Sequence, residues 1–90
     1  LGLDIGGANL KAATPNPGGR AVSVPFPLWK QPDRLPAALA SLVAQFDGLT
    51  EFAVTMTGEL CDCFETKEAG VNAIVSAVLN VSRSWPVRFW

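Results

Sequence analysis

The first thirteen residues set the terms for everything after them. Leu1, Leu3 and Ile5 alternate with Gly2 and Asp4, Gly6-Gly7 interrupts, and Ala8, Leu10 and Ala12 then alternate with Asn9, Lys11 and Ala13. Two alternating runs parted by a glycine pair are the pattern of a β-hairpin with a two-residue turn. With Gly6 and Gly7 as the central turn residues, Ile5 pairs with Ala8, Asp4 with Asn9, Leu3 with Leu10 and Gly2 with Lys11. Successive side chains point to opposite faces of a strand, so Asp4, Asn9 and Lys11 are expected together on one face, close to the turn.

The rest of the chain builds onto this hairpin. Residues 14–19 (TPNPGG) are rich in turn formers, and Arg20 to Val24 alternates as a short third strand, ended by Pro25 and Pro27, which cannot donate to a ladder. From Asp33 to Phe46 the apolar residues Leu35, Leu39, Leu42, Val43 and Phe46 recur at intervals of three and four. This spacing predicts an amphipathic helix with Asp33 as N-cap and Pro36 in the first turn. Phe52 to Met56 is a short apolar run, predicted as a strand covered on both faces and parallel to the first. Thr66 is placed to cap a second helix running to about Arg83, with Val71, Ile74, Val75, Val78 and Leu79 as its buried stripe. Trp85-Pro86 breaks it, and Val87 to Trp90 starts a last strand.

The predicted order is β-β-β-α-β-α-β, an α/β fold with a mixed five-stranded sheet. The two helices supply the crossovers that parallel strands require. The chain has 90 residues, enough for a single domain, since roughly 100–150 residues is the commonest domain size. Hydrophobic residues make up 49% and charged ones 17%, too apolar a balance for a disordered chain. No apolar run reaches the roughly 18–20 residues of a membrane span, and no basic-then-apolar leader opens the chain. A cytoplasmic protein without membrane contact is expected. Seven scattered Lys and Arg against eight Asp and Glu give a net charge of −1, so nucleic acid is not an expected partner.

Histidine is absent, which removes the usual general acid or base and the commonest metal ligand. Chemistry must come from carboxylates, amines or a bound cation. Cys61 and Cys63 stand too close for an ordinary disulfide staple and are too few for a zinc site, as expected of reduced cytosolic thiols.

Two segments can hold chemistry. In Asp4-Ile5-Gly6-Gly7-Ala8-Asn9-Leu10-Lys11 the glycines let backbone N–H groups approach an anion, with no Cβ in the way and positive φ allowed. Asn9 offers an amide donor and Lys11 a point charge. Asp4 would repel a bare phosphate, so its place beside the turn makes sense if it holds Mg²⁺. The plainer alternative is a Gly-Gly hairpin carrying an exposed, weak Asp–Lys pair. In residues 55–63 (TMTGELCDC), at the carboxyl end of the predicted fourth strand, Thr57 and Gly58 would open into the same cleft. Glu59, and less strongly Asp62, are candidate bases, or are simply solvated loop residues. Phe26, Trp29, Phe46, Phe52 and Phe64 are most simply core or interface residues, although Trp29 beside Lys30 could line a substrate pocket.

The first thirteen residues, LGLDIGGANLKAA, look like the first phosphate motif of the ASKHA superfamily (acetate and sugar kinases, Hsp70, actin). The combination of DIGGANLKAA, then PLWK, then AVTMTGEL, DCF, ET and KEAGV resembles one branch more closely. That branch is the tetrahydromethanopterin-linked C1 transfer pathway family, near hydantoinase A and oxoprolinase, whose archaeal members include the furan-methanamine synthase of methanofuran biosynthesis. The resemblance implies a ribonuclease H-like half-domain, here residues 1–90 as the N-terminal lobe of a longer two-lobed protein, and the missing C-terminal lobe would be its partner. It also implies a transferase of one-carbon cofactor metabolism, a synthase that displaces pyrophosphate from a furan-methyl diphosphate with a tyramine-type phenol.

On that implication Asp4 carries Mg²⁺, while Gly6, Gly7, Asn9 and Lys11 hold the diphosphate together with Thr57 and Gly58. Glu59 or Asp62 then serves as base, so Asp4, Lys11, Glu59 and Asp62 form the catalytic set. Two other functions fit the same segment: an ATP-dependent small-molecule kinase lobe of the sugar-kinase type, and a non-catalytic ligand-sensing lobe. A homo-oligomer is compatible with all three.

Overall fold

A computed structural model describes residues 1–15, 18–58, 63–83 and 85–90. The elements are β1 (Gly2–Ile5), β2 (Asn9–Ala13), β3 (Ala21–Pro25), a 3₁₀ turn (Pro32–Arg34), α1 (Leu35–Val43), β4 (Phe52–Met56), α2 (Lys67–Ser82) and β5 (Val87–Phe89). The strands form one five-stranded sheet in the order β3-β2-β1-β4-β5. β2 runs antiparallel to both β1 and β3, whereas β4 runs parallel to both β1 and β5. The α/β class, the mixed sheet and the two helices agree with the expectation from sequence.

The hairpin register differs. Leu3 lies opposite Ala12, Asp4 opposite Lys11 and Ile5 opposite Leu10, each two residues further along β2 than the predicted partner. The cause lies outside the hairpin. Just past the end of β3, the Phe26 N–H donates to the Ala8 carbonyl at 2.9 Å and the Leu28 N–H to the Gly7 carbonyl at 3.1 Å. These bonds fix Gly7-Ala8 as the tip, closed by the Gly6 N–H donating to the Asn9 carbonyl at 3.1 Å. Each partner moves by two positions, so face parity is preserved.

One face of the sheet is covered and the other is bare. Leu3, Ile5, Leu10, Ala12, Phe52 and Val54 are buried under α1 and α2, against Leu35, Leu39, Leu42, Ile74, Ala77 and Val78. Each large apolar side chain among these contributes about 1.5–3 kcal/mol from burial. β4 is not covered on both faces: Phe52 and Val54 are buried, while Ala53 and Thr55 are exposed. Among the described residues nothing covers the far side of the sheet.

Both helices depart from expectation in detail. Asp33 is not the N-cap of α1. It sits inside the 3₁₀ turn, Arg34 takes the cap position without a side-chain bond, and Pro36 falls in the first helical turn. Thr66 does cap α2, its Oγ1 accepting from the Ala69 N–H at 3.0 Å. The buried stripe of α2 is Gly70, Ile74, Ala77, Val78 and Ser82, while Leu79 is exposed and Val71 and Val75 are half-buried. Among the described residues, no helix is long and apolar enough to cross a membrane.

Candidate functional site

β1, β2 and β4 bring three side chains together on the bare face. The register places Asp4 between Lys11 on β2 and Thr55 on β4. Thr55 Oγ1 donates to Asp4 Oδ1 at 3.3 Å, the one side-chain hydrogen bond of Asp4 to a described residue. Asn9, two residues before Lys11, is exposed on the same face. The expected grouping of Asp4, Asn9 and Lys11 on one side therefore holds, with Lys11 rather than Asn9 directly across from Asp4. Thr55 emerges only with the register of the parallel pair. The sequence placed β1 and β4 side by side but could not say which residues align.

The face around these residues is lined by Gly2, Ala13, Ala21, Ser23 and Ala53, small side chains that leave a shallow concavity of about 560 Å³. Asp4, Lys11 and Thr55 lie in it, and the exposed Trp90 forms part of its wall. The glycine turn adjoins the concavity at the carboxyl end of β1 but does not line it.

At the turn, the carbonyls of Gly7 and Ala8 are engaged by Leu28 and Phe26, whereas their N–H groups have no acceptor among the described residues. Unengaged backbone amides are one of the features an anion site requires. Neither glycine has a left-handed φ, so the expectation that positive φ matters here is corrected. A Cβ on Gly6 would meet the Asn9 carbonyl oxygen at 3.3 Å and Thr57 Oγ1 at 3.6 Å, while one on Gly7 would meet nothing within 4 Å. Gly6 is therefore small because neighbours are close, and Gly7 faces open space.

Thr57 joins the site from the other side. Its N–H donates to the Ile5 carbonyl at 3.0 Å, and its hydroxyl stands beside Gly6. Gly58 is buried, and a Cβ there would lie 2.7 Å from Leu28 Cδ2. Packing thus requires the glycine. Glu59, Leu60, Cys61 and Asp62 lie outside the described residues, so both candidate bases do too. Cys63 is half-buried and packs against the core.

Among the described residues no cluster of three or more Cys, Asp or Glu could cage a metal ion. The donor set still fits Mg²⁺, which is usually held by one or two carboxylates together with substrate phosphates and water. Asp4 is half-buried with only one hydrogen bond from a described residue, leaving acceptor capacity on its carboxylate.

Among known proteins, the chain is similar to the (4-{4-[2-(gamma-L-glutamylamino)ethyl]phenoxymethyl}furan-2-yl)methanamine synthase of Methanocaldococcus jannaschii. The two are 38% identical over 79 residues, which cover 87% of this chain and 23% of that enzyme. The chain thus spans less than a quarter of the relative's length. No family model matches the chain.

Proposed function

We propose that this chain is the diphosphate-holding lobe of a synthase of methanofuran-type cofactor biosynthesis, on a ribonuclease H-like (ASKHA) half-domain. The observation that carries the proposal is the placement of Asp4, Lys11 and Thr55 on adjacent strands beside a turn with two unengaged amides, in a chain 38% identical to a synthase of this kind. The element order and the mixed sheet support the fold assignment.

The reaction joins a furan-methyl diphosphate to a tyramine-type phenol. The methylene–oxygen bond to the diphosphate breaks, with pyrophosphate taking the electron pair. The phenol oxygen forms the new ether bond, and its proton passes to a base, for which Glu59 and Asp62 are the candidates. Lys11 and the Gly7 and Ala8 amides neutralise the charge that builds on the departing pyrophosphate, and Asn9 and Thr57 add uncharged donors. Asp4 would hold Mg²⁺, which supplies further charge neutralisation when bound. Thr55 orients the Asp4 carboxylate through its hydrogen bond.

The test is to give the full-length protein two mixtures: a furan-methyl diphosphate with an aminophenol compound, and ATP with sugars. Pyrophosphate release confined to the first supports the synthase. ADP formation in the second would make it a kinase, and silence in both would make it a sensor lobe.

A further inference from the structure

Trp29 is 58% exposed and lies on the hydrogen-bonded turn that follows β3. The carbonyl of Pro27 accepts from the N–H groups of Lys30, at 2.9 Å, and Gln31, at 3.2 Å. On the other side, Leu28 is fully buried and donates its N–H to Gly7, the residue at the tip of the anion-binding turn. Trp29 therefore stands one residue from a backbone bond to that tip. Lys30 Nζ lies over the indole, 5.5 Å from its centroid, within the range of a cation–π contact. The indole N–H has no acceptor among the described residues.

An exposed indole with an ammonium over it, one residue from a backbone bond to the turn that carries the unengaged amides, is suited to a ligand with a flat ring next to a phosphate. Aromatic rings gain energy by stacking on one another beyond the area they bury. Even with Lys30 over the ring, Trp29 remains 58% exposed and so can take a ligand ring.

We infer that Trp29 is a specificity-determining residue that stacks on the unsaturated ring of the diphosphate substrate, with Lys30 adding charge toward the phosphates. This rests on the phosphate-site reading above and adds to it the recognition of the ring. It separates two recognition tasks: the glycine turn, Asp4 and Lys11 take the diphosphate, and Trp29 takes what the diphosphate is attached to.

The experiment is calorimetric titration of the full-length protein with two probes in the presence of Mg²⁺, inorganic pyrophosphate and benzyl diphosphate. Trp29→Ala is expected to weaken benzyl diphosphate about fivefold, the scale of one aromatic contact, and to leave pyrophosphate within about twofold. Trp29→Phe should restore most of the benzyl diphosphate affinity. Equal losses for both probes would mean that Trp29 only supports the turn, and no loss for benzyl diphosphate would mean that the ring lies elsewhere; either result overturns the inference while leaving the phosphate site standing. Failure of the unmodified protein to bind either probe would remove the phosphate site and this inference with it.

Discussion

Gly58→Ala tests how the core and the site are joined. A Cβ at this position would lie 2.7 Å from Leu28 Cδ2, and 3.3 Å from both the Ile5 carbonyl oxygen and Ile74 Cδ1. Optimal carbon–carbon separation is about 3.5–4.0 Å, so the Leu28 methyl must retreat by roughly 1 Å. Leu28 has little freedom to do so, because its side chain is fully buried and its N–H is tied to Gly7. The Ile5 carbonyl is backbone within the sheet and yields less still. Overpacking of this kind costs about 1–3 kcal/mol.

In urea, with a slope of about 1–3 kcal/mol per molar, a 2 kcal/mol loss lowers the unfolding midpoint by about 1 M. Since Leu28 holds the turn, the same variant should also weaken pyrophosphate binding. Gly7→Ala is the matched control. Its Cβ meets nothing within 4 Å, and its φ lies outside the left-handed region. Stability is expected to hold or to rise by up to about 1 kcal/mol, through a less flexible unfolded chain. Pyrophosphate binding should nevertheless fall, because the new methyl occupies space open to an approaching anion. An unchanged urea midpoint in Gly58→Ala, or equal destabilisation by the two substitutions, would refute this division of roles.

Other expectations follow from single contacts. Thr66→Ala removes the acceptor for the Ala69 N–H and should cost about 1 kcal/mol, measured by urea unfolding followed by far-UV circular dichroism. Arg83 holds φ 57° and ψ −121°, a conformation unfavourable for any residue with a Cβ, so Arg83→Gly should stabilise by about 1 kcal/mol in the same assay. Asp4→Asn should lower turnover of the full-length protein by at least about a hundredfold while its circular dichroism spectrum is unchanged. Undiminished turnover would remove Asp4 from the site.

The parts legible in the sequence are those governed by local pattern. Alternation located β1, β2 and β3, a short apolar run located β4, and the cap at Thr66 located the start of α2. Asp4, Asn9 and Lys11 share a face in either register, because the partner shift was an even number of residues and left every side chain on its side. The register itself was not legible. Gly6-Gly7 is the stronger local turn signal, but the tip is set by Phe26 and Leu28, some twenty residues away.

Burial of β4 was misjudged for a related reason: in Phe-Ala-Val-Thr-Met, Ala53 and Thr55 suit a covered or a bare face equally, and only the position of the helices decides. On α2, weight placed on large apolar residues hid the small Gly70 and Ala77, which are buried with Ile74 and Val78. Thr55 had no visible role until its alignment with Asp4 was known.

The central claim is that Asp4, Lys11 and the turn amides together hold a diphosphate. It is tested most directly by titrating inorganic pyrophosphate into the full-length protein with and without Mg²⁺, alongside the Lys11→Ala and Asp4→Asn variants. Loss of the Lys11 charge should weaken binding about tenfold or more under both conditions, the scale of a charge-assisted hydrogen bond. Asp4→Asn should abolish the gain in affinity that Mg²⁺ brings. Pyrophosphate affinity that is the same in all three proteins, and indifferent to Mg²⁺, would contradict the account.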